Sequence, residues 1–305
     1  MNVYRQKIDD AYTVPILPNK VELSEHNYGG VACDVFSPEI YSSKRVTFYI
    51  HGGCFVGGSR AAYRSFCAMI ANKTFSRVVV PEYRLAPVTP FPSAIEDIQS
   101  VFRSLFTEEQ IDRSLDSEVP EFVIAADGAG ASIALALLLN LKDKFRKCIK
   151  KVVLFSPWLN VSDSSALFTG KKKMSDEILS SDVIQQCASL YTYESNFKNP
   201  LVSPALASSD LLEGFPPVYI QCGGKEMAES IYKGNIEDFN KKMFEQMPNI
   251  FTKEDVTVAY NTAREELIAE IEAIEVCKPV LGNIKIGAYD SANDIYLEAC
   301  KELNL

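Results

Sequence analysis

Between a predicted strand at Glu121 to Ala125 and an almost wholly apolar helix at Ala131 to Leu141, the chain turns through Ala126-Asp127-Gly128-Ala129-Gly130. A strand-turn-helix of this kind can form a nucleophile elbow, which holds its middle residue in a strained backbone conformation so that one side chain projects alone above a sheet. Here the middle residue is Gly128, which adopts that conformation with little strain and brings no side chain. A second chemical feature follows the predicted strand Arg45 to Ile50, in the loop His51-Gly52-Gly53-Cys54-Phe55-Val56-Gly57-Gly58. A glycine-rich loop at the carboxyl end of a strand lets backbone N–H groups approach a ligand closely, which is what an oxyanion hole requires. The sequence holds two histidines, His26 and His51, so no imidazole follows the loop. Cys54 in the loop and Cys222 after a later strand are candidate nucleophiles. Neither has an adjacent imidazole or cluster of cations in sequence to favour its thiolate.

These loops need a sheet to hold them. Short β-rich runs at Arg45 to Ile50, Arg77 to Pro81, Glu121 to Ala125, Lys151 to Phe155 and Val218 to Gln221 alternate with helical patterns. That alternation predicts a mostly parallel sheet with helices on both faces. Val21 to Leu23 and Val31 to Phe36 predict an antiparallel edge joined at Tyr28-Gly29-Gly30. Helices are expected at Ala61 to Asn72, Ser93 to Phe106 and Ala131 to Leu141, with Pro87, Pro90 and Pro92 keeping the approach to the second irregular. The alternation stops between Ser164 and Lys198, where a polar helical stretch at Asp176 to Tyr191 predicts a lid. Beyond Ile231 the pattern is helical and acidic; at Ala263 to Val276 the glutamates lie away from a Leu267, Ile271 and Ile274 stripe and form a wet face rather than a metal cluster. The expectation is a single α/β domain over residues 1–305, with a cap or lid insertion at about 164–198 and a divergent helical portion from about 232.

Composition narrows the function classes. A formal net charge of -9 disfavours nucleic acid and anionic membranes as partners. Lys171-Lys172-Lys173 then reads as a solvated loop. No stretch approaches the roughly 20 apolar residues needed to span a bilayer. Residues Met1 to Asp10 lack a secretory pattern, and eight dispersed cysteines read as reduced packing residues, so the expected location is cytoplasmic. Gly128-Ala129-Gly130 could open a dinucleotide fingerprint, but Ile133 stands at the third glycine and no acid ends the next strand. No cofactor is therefore expected.

The loop at His51, together with Glu82-Tyr83-Arg84-Leu85-Ala86-Pro87, Phe91-Pro92-Ser93-Ala94-Ile95-Glu96-Asp97, Ser156-Pro157-Trp158-Leu159, Ser203-Pro204-Ala205 and Phe215-Pro216-Pro217-Val218, resembles the hormone-sensitive-lipase-like branch of the α/β-hydrolases. The likeness runs in unbroken order from about Val46 to Tyr232. It implies an α/β-hydrolase fold and carboxylic-ester hydrolysis, with Gly128 at the family's serine position and Glu226 at the position of its acid. It also implies backbone donors at Gly52, Gly53 and Ala129, a structural imidazole at His51 and a structural carboxylate at Asp127. The family's base would follow the acid, and no histidine does so here. The expectation is thus a pseudoenzyme whose oxyanion-type pocket binds a small carbonyl or carboxylate ligand, as some plant hormone receptors of this family do. A pseudoenzyme that pairs with itself or with an active paralogue is a variant of this reading. The alternative is an active ester hydrolase that uses Cys54, Cys222 or an Asp127-activated water. Arg84 and Asp97 are expected to form a buried pair, and Trp158 to be packing.

Overall fold

The computed structural model describes residues 20–40, 45–112, 120–162 and 181–221. All of them belong to one compact unit, Met1–Gln246. Among the described residues, seven strands form one sheet: β1 (Val21–Tyr28), β2 (Val31–Pro38), β3 (Arg45–Ile50), β4 (Arg77–Pro81), β5 (Glu121–Asp127), β6 (Ile149–Phe155) and β7 (Val218–Gln221). Their spatial order is β1-β2-β4-β3-β5-β6-β7. From β4 to β7 every pairing is parallel, whereas β1 and β2 add an antiparallel edge.

The helices are α1 (Arg64–Thr74), α2 (Ser93–Asp112), α3 (Gly128–Asn140), α4 (Asp143–Arg146), α5 (Ser181–Tyr191) and α6 (Ser209–Leu212). α3 is apolar apart from Ser132 up to Leu139, and each residue from Ala129 to Leu138 is buried. A helix with no polar face must be covered on all sides. The central strands match it: β3 is buried from Val46 to Ile50, and β4 from Val78 to Pro81.

Several elements run further than their patterns suggest, β1 and α3 among them. β1 extends through the polar Ser24-Glu25-His26-Asn27 because an edge strand pairs on one side and leaves one face in water, so its side chains need no apolar alternation. α3 begins at Gly128 rather than Ala131, since the elbow passes directly into the first helical turn. α5 covers the end of the predicted lid helix; residues 163–180, Cys222, Glu226, the Ala263 to Val276 stripe and the rest of the chain from 222 lie outside the described residues.

Candidate functional site

Parallel pairing of β3 with β5 sets Ile50 opposite Ala126, so the two strands end side by side. The His51 loop and the 126–130 turn therefore emerge next to one another. Gly128 has φ +46°, the left-handed conformation expected of an elbow residue. Among the described residues, a Cβ built there would meet one atom within 4 Å, the Gly52 Cα at 3.9 Å. The position is thus conformationally an elbow, sterically open, and without a reactive group. Its carbonyl accepts a hydrogen bond from the Trp158 N–H at 2.8 Å, which ties the elbow to the segment after β6. Gly130 is required for a different reason: a Cβ there would lie 2.3 Å from the carbonyl oxygens of Ile50 and His51. Only a bare backbone lets α3 pack this closely against the end of β3.

Asp127 ties the two strand ends together. Its Oδ1 accepts hydrogen bonds from the Tyr49 hydroxyl and the Gly52 N–H, both at 2.8 Å, and its Oδ2 accepts one from the Tyr63 hydroxyl at 2.7 Å. Burial pushes its carboxyl above the ordinary range, while the two tyrosines and the Gly52 amide pull it back. Three donors hold both oxygens, which is the structural role expected of this residue, rather than activation of a water. The same geometry corrects the expected donor set. The Gly52 N–H is directed at Asp127 and does not face a ligand. Gly53 N–H has no partner among the described residues, and Ala129 lies in the first turn of α3, where intrahelical partners are missing. Sequence spacing alone could not show that the acid before the elbow takes the first amide of the loop.

His51 is fully buried. Its ring stacks on Tyr83 with centroids 4.3 Å apart and on Tyr63 at 5.4 Å. Nδ1 lies 2.8 Å from the Gly52 carbonyl oxygen, and the Tyr83 hydroxyl donates to the His51 carbonyl at 2.6 Å. Burial lowers its pKa to about 4, so the imidazole is neutral near pH 7. It braces its own loop. His26 sits on β1, four strands from β5, or roughly 19 Å at about 4.8 Å per strand interval.

Around this seam the loop is packed by rings. Phe55 stacks on Tyr191 of α5 with centroids 3.8 Å apart and an 8° interplanar angle, and it lies 5.3 Å from Trp158. Trp158 is buried, as its reading as packing requires. Arg84 and Asp97 do pair, through contacts of 2.7–3.0 Å, but Arg84 is exposed, so the expected buried pair is a surface one. A buried ion cluster lies elsewhere: fully buried Asp34 on β2 accepts from Arg60 and Arg64, which fixes the end of the loop to the sheet. Acid and arginines are about 30 residues apart in sequence, with no periodicity to connect them.

An α/β sheet of this order, carrying an elbow and a glycine-rich loop on adjacent strand ends, defines an α/β-hydrolase. The chain belongs to that fold family, in its hormone-sensitive-lipase-like branch; the family profile matches residues 47–233. An esterase of Acinetobacter venetianus is 32% identical over 187 residues, which make up 61% of this chain and 58% of that protein. An acetyl-hydrolase of Streptomyces hygroscopicus is 28% identical over 213 residues, covering 68% of this chain and 67% of the relative. The chain therefore spans between half and two thirds of the curated relatives' length. Among solved structures, a hormone-sensitive lipase from a metagenome library has a TM-score of 0.65 at 26% identity and covers 76% of each chain. The ethanol-soaked esterase EstE5 has a TM-score of 0.68 at 23% identity over 80% of this chain and 77% of its own, a likeness of fold. Among the described residues, no helix is long and apolar enough to cross a membrane.

Proposed function

We propose that this protein is a non-catalytic member of the esterase family, with amides at Gly53 and Ala129 that hold a small carbonyl or carboxylate ligand. The observation that carries this reading is Gly128: an elbow in the expected conformation, with room for a side chain and none present. In serine hydrolases nucleophile and base act as a unit, and removal of either costs on the order of 10⁶ in turnover. A preserved oxyanion hole and binding site account for roughly 10³ to 10⁴ over water. Both histidines of the sequence are committed elsewhere, His51 to its loop and His26 to an edge strand. Free cysteines at positions 33, 54, 67, 148 and 187 fit a reducing, cytoplasmic setting.

Names borne by the relatives, esterase and acetyl-hydrolase, favour a second reading in which an unusual nucleophile sustains hydrolysis. Half-buried Cys54, in the loop itself, is the described residue best placed for it. Hydrolysis of p-nitrophenyl acetate, with Cys54→Ala and Cys222→Ala alongside, separates the two. Rates no higher than the residual 10³ to 10⁴ or so over water, unchanged in both cysteine variants, and no labelling by a fluorophosphonate probe are expected. Turnover that disappears in either cysteine variant would overturn the proposal.

A further inference from the structure

The loop after β3 and helix α5 each bring a thiol to the same point. Cys54 is half-buried in the loop, and Cys187 is buried on α5. The two thiols are hydrogen-bonded to one another. Neighbouring rings hold this contact in register. Phe55 follows Cys54 and stacks on Tyr191, which lies four residues after Cys187 and so on the same face of α5. Both sides of this seam are fixed to the proline-rich segment: the Phe55 carbonyl accepts from the Ala86 N–H at 3.0 Å, and the Tyr191 carbonyl from the Phe91 N–H at 2.9 Å. Two sulfurs held together by separately anchored elements have little freedom to drift apart.

We propose that Cys54 and Cys187 form a reversible dithiol–disulfide site, oxidised by a small disulfide of the glutathione class, that fastens α5 to the loop carrying Gly53. In the first step the more exposed Cys54, as its thiolate, attacks one sulfur of the small disulfide. That S–S bond breaks, and one small thiolate leaves with the electron pair and takes up the proton that Cys54 had released. Cys187 then gives up its proton and attacks the Cys54 sulfur; the mixed S–S bond breaks and the second small thiolate leaves, taking that proton. Two protein thiols are oxidised and one small disulfide is reduced to two thiols. The Cys187 thiol is held above its ordinary pKa, first by the hydrogen bond to Cys54 and then by burial. The second step is therefore the slower one. Oxidation does not touch the elbow, so the site acts on the loop and helix around it.

The full chain is incubated across a series of reduced-to-oxidised glutathione ratios, quenched with acid, alkylated and peptide-mapped by mass spectrometry. The expected result is a peptide linking residues 54 and 187, with two of the eight thiols lost to alkylation and recovered with dithiothreitol. Cys187→Ser should trap Cys54 as a glutathione adduct, and Cys54→Ser should leave Cys187 alkylatable. Trp158, the single tryptophan, packs on Phe55, so its emission should change on oxidation in the wild type and not in Cys54→Ser. If both cysteines of the wild type remain alkylatable in fully oxidised glutathione, the proposal fails. It fails equally if Cys54 stays a glutathione adduct beside an alkylated Cys187, or if the bonds formed join other cysteines.

Discussion

Gly128→Ser places a hydroxyl where the elbow would present one, and the structure sets both what that costs and what it yields. The φ of +46° is left-handed, and a residue with a Cβ held there costs roughly 1–2 kcal/mol. Serine also restricts the unfolded chain more than glycine does, which returns about half a kcal/mol. Steric clash with the described residues adds little, because the nearest of their atoms to the new Cβ is the Gly52 Cα at 3.9 Å. A net loss of about 1 kcal/mol follows, or roughly 3 °C in melting temperature for a domain of this size. Gly128→Ala should lose the same amount, since the strain comes from Cβ and not from the hydroxyl. Catalysis should not appear: the serine would face amides, with a neutral, buried His51 bound to its own loop and no histidine after it. Thermal unfolding and p-nitrophenyl acetate hydrolysis, run on wild type and both variants, provide the check. A serine variant that is more stable than wild type, or that is acylated and turns over at rates lost again in the alanine variant, would refute the reasoning.

Two further predictions rest on the seam between β3 and β5. His51 has a folded pKa of about 4 against an ordinary 6.5, so the unfolded chain binds the extra proton between these values; stability should fall as pH drops from about 6.5 to about 4, by about 3 kcal/mol from this group. Urea midpoints for wild type and His51→Asn over that range test this, and an unchanged slope in the variant would contradict it. Asp127→Ala removes the acceptor for three donors and should cost on the order of 3 kcal/mol, whereas Asp127→Asn keeps an oxygen for Tyr49 and Gly52 and should cost about 1 kcal/mol. Equal losses by denaturant titration would show that the hydrogen bonds are not what the carboxylate contributes.

Where side chains repeat with the period of their element, the chain could be read directly. The Val-rich run of β4 and the almost wholly apolar run of α3 announce their type and burial by composition alone, because full burial selects apolar residues on every face. Gly128 was legible for a related reason, as a special residue at a fixed place between a strand and a helix. What could not be read arises between segments distant in sequence. The Asp127 to Gly52 bond depends on the pairing of β3 with β5, and it occupies one of the three expected donors. Arg60, Arg64 and Asp34 meet because β2 pairs with β4, and the Arg84–Asp97 pair is exposed because its segment runs over the surface. The contact between Cys54 and Cys187 has the same origin.

Helix α3 has no side that water can reach, and this has a bearing on how the molecule tolerates change. An amphipathic helix can absorb a lysine or glutamate on its outer stripe, as α1 does with Met69 exposed and Lys73 in its last turn. From Ala131 to Leu138 every position faces protein, so an ionic side chain anywhere around the circumference would be stranded without solvent. A fragment ending before β6 would leave this greasy rod bare along the flank that strand packs against, and such a fragment should be recovered as aggregate. The segment that sets the elbow on the sheet is thus the part of the described chain least free to vary.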